Sequence, residues 1–512
     1  MRICDIMNVL LTPVKIPKGA VPMKSNNRLL ALVLALLLGT SAMFSCASDT
    51  AEENSSGTNA AAGEAAADAA AEETVPEETE PELAMDDLAD ADFGGAEYII
   101  AGLSNRTTNA VTSAELDGEV INDAQYNAAR TVEDRFNAAI SYVDLADADD
   151  TMVTAVKNLV ASGDVTYGVA FGVDTQQINL GTSGNYLNLK SVSQFNFDQP
   201  WWIDSTESIS IGDKSYVASS YLSYYCLYYM RMFVINKDMA KNYGLEIPYD
   251  AVYEGNWYLD DLVEMCAAAT SDTNGDGQMT ADDQYGLSYE IFYTLQNSMG
   301  IDIIKKDADN MPYLAFDVDR ATIYLEKMEP IVNNYGFYET GYGATMFSNG
   351  QSLFCYCNLR EVCNVIRDSE INYGYLPAPK LDEHQEDYMT CATDVYWGIP
   401  VSSAGKTDMI GTITEALSCQ HFNYVRPAFY ETTMKTKLAG DENDMKMLDL
   451  ASERLKIDFG FAYQTAISAF ANLDDLVRDN VTAGTVASTY QKNQKVLQKS
   501  LEKIIEKVEK LP

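Results

Sequence analysis

From residue 96 onward the apolar positions alternate between short continuous runs and stripes spaced four apart. "AEYIIAG" (96–102) is a near-continuous run, the pattern of a buried strand. "INDAQYNAARTVEDRFNAAI" then places Ala124, Ala128, Val132 and Phe136 on one stripe of a helix. "ISYV" predicts a short strand. "DDTMVTAVKNLVASGD" predicts a helix with Met152, Val156 and Val160 inward and Gly163 as its stop. "VTYGVAF" (165–171) predicts a third strand, and this β-α-β-α-β order predicts a parallel sheet covered by helices. Further on, "MRMFVINKDMAKNYGLEIP" reads as a strand over 230–235, Asn236 as N-cap, a short helix, Gly244 past its end and Pro248 as the stop. A second set follows: a helix over 319–334, the strand "SLFCYC", a helix over 358–367 and the strand "NYGYLP". The tail from Asp441 to Pro512 reads as helical, and no internal repeat is visible.

The N-terminal part has a different character. Residues 1–22 read as upstream sequence. Met23 opens a basic n-region (Lys24, Arg28), an apolar run from Leu29 to Leu38, small residues and then Cys46. That is a secretory signal, too short for a membrane-spanning helix. Its ending on Cys46 resembles a bacterial lipoprotein signal, in which the cysteine becomes the lipidated first residue, although Phe44 is bulkier than the usual residue there. Residues 47–92 hold fifteen acidic side chains and no Lys or Arg, with almost no aromatics. They cannot bury enough surface to fold, so they predict an extended acidic tether, with order beginning near Phe93.

Charge and cysteines narrow the function. Lys and Arg number 35 against 76 Asp and Glu, a formal net charge of −41, which argues against nucleic acid and against an electrostatic grip on an anionic membrane. Seven cysteines follow Cys46: Cys226, Cys266, Cys355, Cys357, Cys363, Cys391 and Cys419. An odd number with no CxxC pair argues against a complete disulfide framework and a zinc ribbon. The two histidines, His384 and His421, lie in polar contexts that predict exposure, and no GxSxG or HExxH accompanies them.

One motif carries metal chemistry. In "SDTNGDGQMTADDQYG" (271–286), Asp272, Asn274 and Asp276 stand at positions 1, 3 and 5 of a calcium-type loop, Gly277 at 6, Gln278 at 7 and Asp283 at 12. Spacing two apart turns successive oxygens toward one centre, position 7 offers a backbone carbonyl and a carboxylate at 12 closes the shell. Asp in place of Glu at position 12, and the lack of a second loop, predict one structural Ca2+ and not a sensor.

Several stretches, taken in order, resemble family 1 extracellular solute-binding proteins of ABC importers. They are "IGDKSYVASSYLSYYCLYYMRMFVINKDMAKNYGLEIP", "GNWYLDDLVEMCAAAT", "MFSNGQSLF", "NYGYLPAPKLDE" and "DVYWGIPVSS". The resemblance runs from about residue 96 to the C terminus. It implies an α/β, two-lobed, periplasmic-binding-protein-like fold of type II, with hinge crossings and a cleft that closes on a solute. Lobe 1 would hold residues 93–220 and 393–440, lobe 2 residues 221–392, and the helices of 441–512 would lie mainly on lobe 2. It further implies a monomeric receptor, lipid-anchored outside the cytoplasmic membrane, that delivers a sugar or oligosaccharide to ABC permease subunits.

A sugar pocket needs aromatic plates and polar hydrogen bonders, and 32 Tyr, 17 Phe and 4 Trp allow it. On this reading Trp201 and Trp202 approach the cleft, and Tyr221, Tyr224 and Tyr225 lie on the first crossing. Asp394 and Trp397 lie on the return crossing, and Arg360 at a cleft-side helix start. Asn105 and Arg106 follow the first strand at its carboxyl end, where open α/β sheets bind ligands. Trp257 reads as a structural anchor. A secreted carbohydrate-active enzyme and a calcium-braced adhesion or scaffold protein are the alternatives.

Overall fold

The computed structural model describes residues 83–512 except 105–106, 108–109, 204, 290–292, 339–341, 393–394 and 435–441. Glu80–Pro512 forms one compact unit. Two sheets organise it. Their strands are β1 (Ala96–Leu103), β2 (Ala138–Ala146), β3 (Tyr167–Val173), β4 (Arg231–Asn236), β5 (Tyr285–Tyr289), β6 (Gly336–Tyr338), β7 (Ser352–Asn358), β8 (Tyr373–Leu376) and β9 (Val395–Gly398). The first sheet runs β9-β3-β1-β2 and the second β8-β4-β7-β5-β6. In the first, β1 pairs in parallel with β2 and β3, as the β-α-β-α-β order requires, and β9 returns antiparallel on β3. In the second, β5 is parallel to β6 and β7, and β4 is antiparallel to β7 and β8. Every residue of β4, β5 and β7 is buried, which fits their near-continuous apolar sequences and cover on both faces.

Seven helices matter for the site and its surroundings: α1 (Val120–Phe136), α2 (Asp149–Ser162), α3 (Leu259–Ala269), α4 (Val318–Pro330), α5 (Thr407–Gln420), α6 (Glu442–Glu453) and α7 (Val486–Glu509). Gly163 ends α2 in the left-handed region at φ 70°, its N–H returning to Leu159 and Val160 carbonyls. The buried face of α1 is Gln125, Ala128, Ala129, Val132, Glu133 and Phe136, with Ala124 at its margin. α4 is shorter than its stripe predicts and runs into a wide π-helical turn, Ile331–Tyr335. A similar turn, Val362–Ile366, takes up half of the helix expected over 358–367. The tail is helical only in part: between α6 and α7 lie a two-residue strand, the four-residue helix Phe459–Ala462 and turns.

Order also begins earlier than Phe93. Residues 83–92 have no regular structure, yet they are pinned to the body. Ala84 exchanges two hydrogen bonds with the Asn423 side chain, at 3.0 and 2.8 Å. Asp86 pairs with Arg135 at 2.7 Å, and Asp87 accepts from Asn196. Ala84, Leu88 and Ala91 pack on the core. The end of the acidic segment therefore has specific partners that its composition does not reveal.

The chain crosses between the sheets and pairs with itself in doing so. Ala218 and Trp397 exchange backbone hydrogen bonds at 2.9 and 3.0 Å, and Met230 bridges Ala392 antiparallel. The approach to the first crossing is fixed by a buried carboxylate. Glu415 on α5 accepts the indole N–H of Trp201 at 3.0 Å on one oxygen and that of Trp202 at 2.9 Å on the other. Burial pushes its carboxyl up to about 8, against the N–H donors that pull it down. His421 sits just beyond α5 and is buried, not exposed as its polar sequence context suggests. Its Nδ1 lies 3.1 and 3.0 Å from the carbonyls of Tyr221 and Leu222, so that nitrogen carries the proton and donates. Burial lowers its pKa to about 4.

These two groups give opposite pH dependences. Glu415, raised in the folded state, lowers stability as pH climbs from its ordinary 4.5 to about 8. His421, lowered, loses its contribution as pH falls from 6.5 to about 4. Between pH 6.5 and 8 only the first of the pair titrates, and the slope predicts a loss of about 2 kcal/mol over that interval. Urea unfolding at the two pH values should show a loss smaller by this amount in Glu415→Gln than in the wild type, the remainder coming from Asp458, which burial raises to about 7. An unchanged slope in the variant would assign the titration to another group.

Candidate functional site

The strand directions bring one end of each sheet to the crossings. In the first sheet the carboxyl ends of β1, β2 and β3 lie beside the start of β9, because β9 runs against β3. In the second the carboxyl ends of β5, β6, β7 and β8 lie beside the start of β4. The first crossing enters β4 at that end and the second enters β9 at its own. Both walls facing the crossings are therefore the strand ends at which open α/β sheets take ligands.

The first crossing carries an aromatic platform. Residues Tyr225–Tyr228 form one helical turn, so Tyr225, Tyr228 and Tyr229 fall on one side at i, i+3 and i+4. Tyr225 and Tyr228 stack at 5.0 Å with 21° between their planes. Tyr229 meets both rings edge-on at 5.7 and 5.5 Å. Tyr224 backs the platform against Phe429 at 5.4 Å. All four tyrosines are only half-buried. Burial raises the pKa values of Tyr225 and Tyr228, and each phenol also feels a side chain from a sheet: Tyr142 of β2 for Tyr225, Arg360 just past β7 for Tyr228. The Tyr228 hydroxyl accepts from Asn364 at 3.0 Å.

A second polar element sits at the carboxyl end of β1. The Tyr142 hydroxyl and Thr107 Oγ1 share a hydrogen bond of 2.7 Å, and Thr107 Oγ1 accepts from the Leu103 N–H at 2.7 Å. This arrangement needs Gly102. A Cβ there would stand 1.9 Å from the Tyr142 oxygen and 2.5 Å from Thr107 Oγ1.

Among the residues singled out from sequence, the structure brings Tyr225 and Arg360 together around Tyr228. Arg360 is about half exposed and lies 3.8 Å from Glu361. Tyr221 turns inward, buried against Phe422. The three tryptophans are corrections. Trp201 and Trp397 expose no surface and Trp202 only 6%. Trp202 and Trp397 pack with Phe195 and Phe171 inside the first lobe, and the Trp397 indole donates to Ser220 Oγ at 3.3 Å. They support the crossing from behind and offer no face to a solute. Trp257 is fully buried, its indole N–H bonded to the Pro377 carbonyl. Asn105, Arg106 and Asp394 lie outside the described residues, as does Cys46. Tyr228 and Tyr229 on the crossing, and Tyr142 on β2, are site residues not singled out from the sequence. The Y-Y-x-x-Y-Y spacing was the available signal, since it forms one face only in a helical turn.

The loop 272–283 is folded by its own side chains. Asp272 accepts from the N–H groups of Gly275 and Gly277, both at 2.7 Å. Asn274 accepts from Asp276 N–H and Asp276 from Gln278 N–H, each at 2.8 Å. The donor set is all hard oxygen, as calcium requires. Asp283 is otherwise engaged: its two oxygens accept from the N–H and hydroxyl groups of Thr273 and Thr280 at 2.8 to 3.2 Å. Those bonds hold its carboxyl below the usual range. Among the described residues no three His, Cys, Asp or Glu side chains are grouped closely enough to hold a metal.

The Gly102 contact generates a direct test. Gly102→Ala must displace the Tyr142 phenol and Thr107, an overpacking that costs about 1–3 kcal/mol. The loss should shrink in a Tyr142→Ala background, read as a double-mutant cycle by chemical denaturation. Additive losses would show that the phenol does not depend on this glycine.

No protein-family model matches the sequence, and no curated protein matches it. Solved structures do match in fold. UgpB from Mycobacterium tuberculosis, in complex with glycerophosphocholine, aligns with a TM-score of 0.50 at 14% identity, over 80% of this chain and 99% of that one. The GacH receptor of Streptomyces glaucescens, solved unliganded and with acarbose, gives 0.50 at 13% identity, over 79% and 98%. UspC of M. tuberculosis gives 0.50 at 12%, over 78% and 100%. With the strand order and the paired crossings, these likenesses establish the two-lobed, periplasmic-binding-protein-like α/β fold.

Proposed function

We propose that this protein is an extracytoplasmic solute-binding receptor, lipid-anchored through Cys46, that captures a sugar or oligosaccharide and delivers it to an ABC importer. The observation that carries the reading is the half-buried tyrosine platform on the crossing between two sets of strand carboxyl ends. A pyranose presents an apolar C–H face and a rim of hydroxyls. The stacked pair Tyr225 and Tyr228 offers the flat apolar surface, and Arg360, Asn364 and the Tyr142–Thr107 pair offer hydrogen-bonding groups around it. The matching structures hold different occupants, acarbose in one and glycerophosphocholine in another. The solute class is therefore inferred from this chain's own aromatic surface. Lobe closure would follow from tighter binding to the closed arrangement, with the paired crossings as hinge.

The calcium loop belongs to the same proposal as a brace. A calcium ion would take oxygens from Asp272, Asn274, Asp276 and the Gln278 carbonyl, with Asp283 exchanging its threonine partners for the ion. The loop leads directly into β5, so tightening it steadies the second sheet.

Two measurements test these readings. Thermal unfolding of the chain from Ala47 onward, against mono- and oligosaccharides, polyols, amino acids and peptides, should give a shift with one sugar class. A ligand at a hundred times its Kd adds about 2.7 kcal/mol. Tyr225→Ala should weaken that ligand about 10- to 100-fold, or about 1.4–2.7 kcal/mol, by calorimetric titration. A shift confined to a non-sugar class would refute the carbohydrate assignment, and turnover of a glycoside would refute the receptor. Separately, calcium at ten times its Kd should stabilise the wild type by about 1.4 kcal/mol and leave Asp272→Ala unmoved. No shift with calcium in the wild type would remove the ion from the loop.

A further inference from the structure

The C-terminal helix α7 departs from the charge of the rest of the chain. Residues 486–512 carry six lysines and three glutamates, a net of +3. The remainder carries 29 basic residues (35 − 6) against 73 acidic ones (76 − 3). The six are Lys492, Lys495, Lys499, Lys503, Lys507 and Lys510, and all are exposed. At 100° per residue they occupy an arc of about 120° and a length of about 27 Å, with the exposed Glu506 inside that arc and Glu502 just beyond its edge. The opposite face is the buried one, with Val486, Leu497, Leu501, Ile504 and Val508 inward. In a chain where acids outnumber bases two to one, a lysine would ordinarily find a carboxylate. Yet Lys492, Lys495, Lys499 and Lys503 make no ion pair among the described residues. Lys507 reaches only Ser183 Oγ at 3.2 Å, and Lys510 stands 4.0 Å from Glu506. Val496, 47% exposed, lies within the same arc.

We propose that this lysine stripe is a docking face for an anionic phospholipid headgroup layer. The net charge of −41 opposes such a contact overall, but charges farther than about 8 Å are largely screened at physiological ionic strength and the stripe acts as a local feature. A row of flexible point charges, with no pocket and no apolar collar beyond one valine, suits a plane of phosphates better than a shaped protein partner. The anchor inferred at Cys46 would keep a membrane within the contour of residues 47–82, about 120 Å at most. The biological setting rests on that anchor reading; the lipid contact itself does not.

The test uses the compact unit from residue 80 onward, which carries no lipid. At about 0.1 M salt it should co-sediment with vesicles of equal phosphatidylglycerol and phosphatidylcholine at least about tenfold more strongly than with phosphatidylcholine alone. Binding should vanish at high salt and fall by a similar factor in the combined variant Lys492→Gln, Lys495→Gln, Lys499→Gln and Lys503→Gln. The four Lys→Arg changes should preserve it, and an unchanged unfolding midpoint in both variants confirms that they fold. Equal binding to the two vesicle types, or full binding by the glutamine variant, would overturn the proposal. Binding restricted to native membranes carrying their proteins would overturn it too, in favour of an acidic protein partner.

Discussion

The backbone pairing of the two crossings is the constraint on which the rest of the structure depends. Ala218 with Trp397 and Met230 with Ala392 join the two connections at two isolated antiparallel bridges. Because the connections enter β4 and β9 at their first residues, they bring the carboxyl ends of the parallel strands in both sheets to the same place. Short element-terminal segments of this kind are what absorb a hinge rotation. The aromatic platform is built from the crossing's own side chains, so the same twelve or so residues would serve as both joint and binding floor.

Buried polar groups fix the first crossing to the first lobe, and each is held near neutrality by its surroundings. Tyr221 N–H donates to the Trp201 carbonyl at 2.9 Å. Trp201 and Trp202 are held in turn by Glu415, while His421 donates to the next two carbonyls of the crossing. Burial raises the acid to about 8 and lowers the base to about 4. Near neutral pH both groups can thus lie in the interior without the penalty of an unpaired charge. The cost is a stability that falls with rising pH through Glu415 and with falling pH through His421, which an apolar root would not show.

Much of the architecture was legible because each sheet is built from local patterns. The runs at 96–102, 230–235 and 352–357 could only be buried strands, and Gly163 and Asn236 marked helix boundaries with the cap chemistry later seen at those positions. The order of motifs carried the two-lobed fold. The site was less legible, for two physical reasons. Tryptophan is the residue expected under a sugar, but Trp201, Trp202 and Trp397 are also the largest apolar side chains available to fill a core, and they were used there. Tyr225, Tyr228 and Tyr229 share a face only if the crossing makes a helical turn, and a run that is apolar or aromatic at every position from 224 to 229 does not specify one. His421 shows a further limit: its polar neighbours in sequence point elsewhere, and only the chain passing over it buries the ring.

The platform is attached to both lobes, and this bears on how closure would be coupled to a solute. Tyr224 and Tyr228 rest on Phe429, which belongs to the helix Arg426–Met434 beside α1 in the first lobe. The crossing's backbone is bonded to that lobe through Trp201 and His421. The second lobe holds it as well: the Leu359 N–H donates to the Met230 carbonyl at 3.0 Å, Asn364 donates to Tyr228, and the platform runs directly into β4. A solute on the tyrosines would therefore rest on a floor common to both lobes, and the contacts that change on closure would be those to groups carried by one lobe alone. Only contacts that differ between the open and closed states can shift the balance between them. On this geometry the tyrosines would supply affinity, and groups carried by one lobe alone, Tyr142 and Thr107 on the first and Arg360 on the second, would convert that affinity into closure.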